Sequence, residues 1–171
     1  MPLDTLVELV NGWGVEPRRA GARSDVPLLA DHVHRAGVPT RVADRLTDAA
    51  LIRFADTIFG VFASGGTADR VNAISALLTD IDVRPDLALV DDDVRPLWLV
   101  EARDALLAAA LLALRAQLSD EDPERLGICV DGGCADIYID ISPAGRRRFC
   151  SVQCQNRARA AKFRRTRRIT S

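Results

Sequence analysis

The sequence predicts a mainly α-helical protein in which a small β-hairpin interrupts the helices and a short cysteine-bearing module follows them. Three observations support this prediction. Apolar residues recur three or four apart along most of the N-terminal part, as in helices with one buried face. Nearly half of the 171 residues are apolar but only 5% are aromatic, which is typical of an aliphatic helical core. All four cysteines lie between positions 129 and 154. We therefore expect a helical domain over residues 1–124 and a second, smaller domain over residues 125–171.

The first helix is predicted from the spacing of its apolar residues. Leu3 to Val10 have helical spacing, and Gly12 ends the run. The segment 14–25 is polar, rich in arginine and contains Pro17, so we interpret it as a loop.

Three further helices are predicted in the segment that follows. Pro27 begins the second helix, which stops at Gly37. Thr40 begins a longer one, the expected central core helix, which the serine and glycines of 64–66 interrupt. Apolar residues within 71–78 continue on a fourth helix.

The hydrophobic period changes between the fourth helix and the last helix of the body. Residues 87–90 and 97–100 are apolar strand formers, with Pro96 tolerable on an edge strand. Asp91, Asp92 and Asp93 lie between them. A calcium loop spaces its ligands at alternate positions around a glycine, with a distal glutamate, and none of this is present. We therefore predict a hairpin with an aspartate turn.

The last helix of the body is predicted over residues 101–118 and is apolar on most of its circumference. Its uncharged stretch is too short to cross a bilayer core of ~30 Å, so we expect a buried helix and no membrane partner. No cationic leader precedes an apolar run at the start of the chain, which favours a cytoplasmic protein.

The cysteines are arranged as two close pairs. Cys129 and Cys134 form the first pair, and Cys150 and Cys154 form the second. Two such pairs on either side of a short connection can bind one tetrahedral Zn²⁺. Two disulfides are the alternative, but they are typical of secreted domains, and no signal segment is apparent. We predict one structural zinc ion per chain with all four thiolates as ligands, leaving no open position for catalysis.

The elements around the cysteines can also be predicted. Residues 137–141 alternate as a strand, 143–145 supply a turn, and 146–149 can form a return strand. Ser151 can cap a helix that runs to about Arg168 and lacks proline and glycine. A knuckle, a hairpin and a helix carrying the second cysteine pair is the order of a treble-clef zinc finger.

Charge is distributed unevenly along the chain. The formal net charge is −1, but residues 127–171 carry ten Lys and Arg against three acidic residues. The preceding residues carry 13 basic and 21 acidic residues. A basic tail on an acidic body predicts a polyanionic partner, while pairing of tail with body is the alternative.

The C-terminal helix presents two different faces. Arg157, Arg164 and Arg168 form one stripe around a small alanine, where guanidinium groups can reach phosphate oxygens or guanine edges. A second face carries residues that we expect to pack on the zinc hairpin, namely Val152, Asn156 and Phe163.

Eight arginines are the predicted nucleic-acid contacts: Arg146, Arg147, Arg148, Arg157, Arg164, Arg165, Arg167 and Arg168. Arg157 lies nearest the zinc site and is the candidate for reading a base edge. Those at the helix end are expected to contact phosphates, and those of the return strand to form a second backbone clamp.

No catalytic constellation is recognisable, so we do not predict an enzyme. His32 and His34 are two apart and would point to different faces of a helix, so they cannot chelate one metal together. No glycine-rich phosphate loop, nucleophile elbow or HExxH motif occurs.

The C-terminal module resembles the CGNR zinc finger. The resemblance rests on Arg125-Leu126, the two cysteine pairs, the strand ending at Asp140, the basic run 146–148 and the sequence Cys-Gln-Asn-Arg that begins at Cys154. Gln155 stands where the family has glycine, and Phe149 where tryptophan is usual. Neither departure removes a metal ligand. The glutamine side chain, however, can block a close contact between a partner and the backbone that a glycine at this position would allow.

The N-terminal part resembles, more loosely, the ABATE domain that precedes this finger in a bacterial family of stress-induced transcription regulators. This resemblance rests on Leu9-Val10-Asn11, the hairpin around 84–100 and the helix leading to Cys129. It implies DNA binding in a bacterial cytoplasm, in association with the nucleoid.

We therefore expect a zinc-dependent DNA-binding protein, a bacterial transcription regulator whose helical domain senses a small-molecule effector or forms a homodimer. Two alternatives stay open. One is an RNA- or ribosome-associated treble clef, because composition does not distinguish DNA from RNA. The other is a protein-interaction module in which a structural zinc supports a basic tail that binds an acidic partner.

Overall fold

The structure is a computed structural model that describes residues 1–20 and 46–169, with side chains as far as residue 167. The helix predicted between Pro27 and Gly37, which includes both histidines, lies outside the described residues. So do the predicted start of the next helix at Thr40 and the side chain of Arg168. Within the described ranges, no helix has both the length and the apolar character needed to cross a bilayer.

Helices dominate the described fold, and the strands form two small antiparallel pairs, β1 with β2 and β3 with β4. The prediction of a mainly α-helical fold is confirmed. The elements are α1 (Leu3–Trp13), α2 (Val15–Ala20), α3 (Asp48–Ala63), α4 (Thr67–Asp80), β1 (Arg84–Val90), β2 (Asp93–Leu99), α5 (Ala105–Asp120), β3 (Leu126–Ile128), β4 (Ile137–Ile139) and α6 (Val152–Ile169). Short 3₁₀ turns precede α5 and β3, at Ala102–Asp104 and Pro123–Arg125.

The core of the body lies between α1, α3 and α5, with α4 packed against α3 and α5. On α3, buried apolar residues recur at the expected spacing from Leu51 to Phe62. They meet Leu6 and Leu9 of α1 and Leu111 of α5, all fully buried. Burial of one apolar stripe from each helix therefore assembles the body, as the periodicity predicts.

A helix, α2, occupies part of the segment predicted as a loop. Pro17 is compatible with it because this residue lies in the first turn, where a backbone N–H has no partner within the helix. Val15 is the first residue of α2, and its N–H donates to Asp56 Oδ1 at 2.8 Å, which ties α2 to α3. The preceding helix also continues past Gly12, the predicted stop.

The central helix begins later than its apolar periodicity predicts. Thr47 caps it, because Thr47 Oγ1 accepts a hydrogen bond from the N–H of Ala50 at 3.2 Å. The capping threonine therefore sets the boundary at Asp48, although apolar spacing continues back to Leu46.

The first β pair confirms the predicted hairpin. Its two-residue turn consists of Asp91 and Asp92, whose φ angles of 51° and 62° match a type I′ turn. The third aspartate belongs to β2 and pairs with Val90.

The second β pair differs from the predicted zinc hairpin. β4 pairs with β3, in the register Leu126↔Ile139 and Ile128↔Ile137, and residues 146–149 form no strand. The prediction of a return strand there is wrong. The carboxylate of Asp140 accepts the N–H of Ser142 at 2.9 Å and that of Arg147 at 2.7 Å, which holds this segment as a loop instead.

The β3–β4 pair also joins the cysteine module to the body. Leu126, Ile137 and Ile139 are buried in the same cluster as the helical core. Asn11 of α1 is buried and binds the backbone of Ile137 twice: its Nδ2 donates to the carbonyl at 3.0 Å, and its Oδ1 accepts from the N–H at 2.8 Å. One helix of the body thus completes the outer edge of β4.

Candidate metal centre

Four cysteine sulfurs converge beside the β3–β4 pair. All four Sγ atoms lie within 4.8 Å of one another, with Cys150 at 3.6 Å from Cys134 and 3.5 Å from Cys154. A tetrahedral zinc with bonds of about 2.3 Å would place its sulfur ligands about 3.8 Å apart. A disulfide needs about 2 Å, and the four thiols are free. The donor set and its geometry therefore fit one zinc ion.

Backbone hydrogen bonds place the first cysteine pair. The N–H of Cys129 donates to the carbonyl of Asp136 at 2.9 Å, and the N–H of Cys134 donates to the carbonyl of Asp131 at 2.9 Å. The chain between them forms a tight knuckle. The N–H of Asp136 also points at Cys134 Sγ, 3.5 Å away.

The second cysteine pair lies at the start of α6. Cys150 precedes the helix and Cys154 lies in its first turn. Ser151 caps the helix as predicted, because its Oγ accepts from the N–H of Cys154 at 3.3 Å. Since a helix N-terminus favours negative charge, this turn stabilises a thiolate.

The thiols differ in their tendency to ionise without a metal. Burial raises the pKa of Cys134 to about 12, and burial together with hydrogen bonds to its neighbouring thiols also raises the pKa of Cys150. Burial opposes ionisation of Cys154 as well, but hydrogen bonds from Ser151 and nearby thiols hold its pKa below the ordinary value. Metal binding must therefore displace protons, which makes zinc affinity depend on pH.

Comparison with known proteins supports the same metal. Residues 125–167 match the CGNR zinc finger family. The module is a CGNR zinc finger, and its four cysteines are placed to hold one zinc ion. A search of curated proteins returned no match to the chain. The match covers the finger, so the ABATE resemblance of the helical domain stays a prediction.

Arg157 joins the two halves of the CGNR zinc finger. Its Nε and Nη2 lie 2.8 and 2.7 Å from Oδ2 of Asp131, and Nη2 lies 3.0 Å from Cys154 Sγ. Asp131 is buried in the knuckle and holds the pKa of Arg157 above its usual value. A zinc ion with four thiolates carries net negative charge, which this guanidinium offsets. The residue predicted to read a base edge is therefore engaged at the metal site.

Arg147 is engaged in a similar way within the finger. Its guanidinium donates to the carbonyls of Phe149 and Cys150 and lies over the ring of Tyr138, 5.1 Å from the centroid. Tyr138 Oη donates to the carbonyl of Arg147 at 2.6 Å. The ring also lies across Gly127, where a Cβ would overlap it. Arg147, which was predicted to form part of a second backbone clamp, is therefore engaged within the finger itself.

Arg147 and Arg157 are exposed in spite of these contacts, and so are the other described arginines of the predicted set, namely Arg146, Arg148, Arg164, Arg165 and Arg167. The guanidinium of Arg167 lies 5.5 Å from the ring centroid of Phe163. Val152 and Phe163 are 68% and 62% exposed, and Asn156 is exposed too. The prediction that these three pack on the zinc hairpin is therefore wrong. The metal site and the Arg157–Asp131 pair fix the first two turns of α6, and the rest of the helix has no extensive contact with the other described elements.

A basic cleft adjoins the N-terminus of α6. It has a volume of about 420 Å³ and is lined by the run Arg146 to Phe149 and by Ser151, Val152 and Gln155. Sequence reasoning missed this cleft, the Asp131–Arg157 pair and the role of Asn11. The last two depend on residues far apart in the chain, which no local pattern brings together. Gln155, which replaces the family's glycine, lines this cleft.

Proposed function

We propose that the CGNR zinc finger binds duplex DNA through α6 and that the chain is a bacterial transcription regulator associated with the nucleoid. The observation that carries this proposal is the exposure of a long basic helix that is anchored through its first two turns. Residues 152–169 contain seven Lys and Arg and no acidic residue. A helix of 18 residues spans about 27 Å. Its diameter of about 10–12 Å with side chains matches the roughly 12 Å width of the major groove.

The basic residues of α6 differ in whether another residue holds their side chains. Arg157 is held against Asp131, so we assign it a positioning role that fixes the helix on the zinc site. Arg159, Arg164 and Arg165 are exposed, and no described residue accepts a hydrogen bond from their guanidinium groups. They are the groups of the finger best placed to reach DNA phosphates or base edges.

The cleft beside α6 supports a second backbone contact. Arg146 and Arg148 border it, and the described part of the chain offers their guanidinium groups no acceptor. The nearby helix N-terminus adds a favourable field for an anion. A phosphate bound here would fix the angle at which the helix enters the groove.

The aromatic residues favour duplex DNA over a stacking RNA platform. Tyr138 is 7% exposed, and Phe149 is half-buried. Phe163 alone among the finger aromatics is largely exposed, and Arg167 lies over its ring. Sequence-specific RNA recognition commonly stacks splayed-out bases on open aromatic faces, and this finger offers few of them.

A salt titration tests the proposal. Fluorescence anisotropy would compare the wild-type zinc protein with R164A/R165A on duplex DNA and on structured RNA. The double variant should flatten the dependence of log K on log salt by about 1.8, since each lost phosphate contact contributes about 0.9. Arg18→Ala, an exposed arginine on α2, is the matched control and should leave the slope unchanged.

Three results would contradict the proposal. An unchanged slope in R164A/R165A would show that α6 is not the nucleic-acid surface. Stronger binding to structured RNA would favour the ribosome-associated alternative. Binding to an acidic protein without affinity for either nucleic acid would favour the interaction module.

A further inference from the structure

One face of the β1–β2 hairpin is entirely apolar. Strand alternation and the hairpin register place six side chains on this face: Pro85, Leu87, Leu89, Val94, Pro96 and Trp98. Leu87 and Leu89 are 67% and 69% exposed, Val94 is 62% exposed, and Trp98 is 45% exposed. We call these six residues the hairpin face. The opposite face carries charged residues such as Arg84 and Arg95 among its apolar ones.

The hairpin stands apart from the rest of the described structure. Its strands pair with each other and have no extensive contact with the helices or with β3 and β4. A lone two-stranded hairpin is marginally stable in water, and a wholly apolar face adds to the cost of exposure. Such a face is typical of a surface that is covered in the functional state.

Pro85 and Pro96 restrict how a partner can cover the hairpin face. Pro85 pairs with Trp98, and Pro96 pairs with Leu87. In these non-hydrogen-bonded pairs the backbone N–H of each residue faces the outer edge of the hairpin, and proline has none. Both edges therefore lack a donor where another strand would add, which leaves the face itself as the docking surface.

We infer that the hairpin face binds the same face of a second copy of this chain. A two-fold interface needs a patch that complements itself, and an uncharged apolar patch does so. The neighbouring charges already have partners, since Arg84 pairs with Asp82 at 3.3 Å and Arg95 pairs with Asp93 at 3.2 Å. The remaining charged side chain of these strands, Asp86, lies on the opposite face and accepts the N–H of Leu87 at 2.9 Å. The hairpin face itself therefore calls for no charged partner.

The available area is consistent with this occupant. Six side chains of these sizes and exposures offer on the order of 500 Å² per copy, so two copies bury about 1,000 Å² in total. That is near the lower limit for a specific interface and has the apolar character of homodimer interfaces. Two hairpins would stack face to face as a small sandwich with about 10 Å between the sheets.

The test is the mass of the full-length zinc protein by sedimentation equilibrium. Wild-type protein should be dimeric at about 100 µM. L87T/L89T keeps strand-forming residues but removes four apolar side chains per dimer, so it should raise the dissociation constant on the order of 100-fold. Dilution should also shift the emission of Trp98 to longer wavelength, while Trp13 is buried and gives a constant background.

The matched control places the same change on the opposite face. V90T/L99T alters two residues that are each 44% exposed and should leave the dissociation constant unchanged. Zinc content and far-UV circular dichroism would confirm that both variants fold. A monomeric wild-type protein, a dimer unaffected by L87T/L89T, or equal loss of the dimer in both variants would overturn the inference. So would binding of the monomer to phosphatidylcholine vesicles without self-association. None of these results depends on DNA binding.

Discussion

Replacement of Asn11 by alanine should loosen the joint between the helical body and the zinc finger. The Asn11 amide makes two hydrogen bonds to the backbone of Ile137, and Ile137 is fully buried. Asn11→Ala would leave one buried N–H and one buried carbonyl without a partner. Each such group costs about 1–3 kcal/mol, with the lower value where water can enter the space left by the amide. We therefore expect a loss of about 2–4 kcal/mol in the free energy of unfolding.

Urea unfolding of the zinc-loaded protein measures this loss, and hydrogen exchange locates it. The amide of Ile137 should exchange faster in the variant, because its acceptor is gone. Asn72 is exposed on α4, so Asn72→Ala is the matched control and should change stability by less than about 0.5 kcal/mol. If Asn11→Ala also falls within about 0.5 kcal/mol of wild type, the joint contributes no net stability and the reasoning is wrong.

Four further predictions concern the finger itself. Gly127→Ala should destabilise the protein by about 1–3 kcal/mol in urea unfolding, because the new Cβ overlaps the Tyr138 ring; a neutral result would mean that the ring moves freely. Hydrogen bonds from Ser142 and from a backbone N–H lower the pKa of Asp140, so its ionised form stabilises the fold at neutral pH. Asp140→Asn should therefore be less stable than wild type at pH 7, and this difference should shrink as the pH falls through the lowered pKa; a pH-independent difference would contradict it. Arg157→Gln should weaken zinc binding by about 10- to 100-fold in competition with a chelator, and unchanged affinity would show that the guanidinium does not support the site. Chelation should release one zinc per chain and speed hydrogen exchange after Gly127 while most helical signal of the body persists; protected C-terminal amides in the metal-free protein would contradict this.

The sequence predicts the metal site well because its information is local. Four cysteines at short spacings, with Ser151 between the two cysteines of the second pair, predict the ligands and the start of α6. The β1–β2 hairpin was predictable for the same reason, since apolar runs flank a turn of aspartates that tolerate positive φ. Helix faces followed from periodicity wherever the helix packs on the body.

The parts that the sequence could not predict depend on long-range contacts. The strand partner of Ile137 is Ile128 rather than a residue after the turn. The Asp140 carboxylate accepts two backbone N–H groups, one on each side of the turn, which holds the segment after the turn as a loop. Helical periodicity suggested a packed face for α6, but the zinc site anchors the helix only through its first two turns, so Phe163 stays exposed. Arg157 appeared available for DNA until its partner Asp131, 26 positions away, was located in space.

Zinc K-edge X-ray absorption on the full-length protein, with the zinc-to-protein ratio measured on the same sample, tests the central claim most directly. The account predicts one zinc per chain and four sulfur ligands at about 2.3 Å, with no nitrogen or oxygen in the first coordination shell. A shell with fewer than four sulfurs, or a purified protein whose cysteines are paired as disulfides without bound zinc, would contradict it.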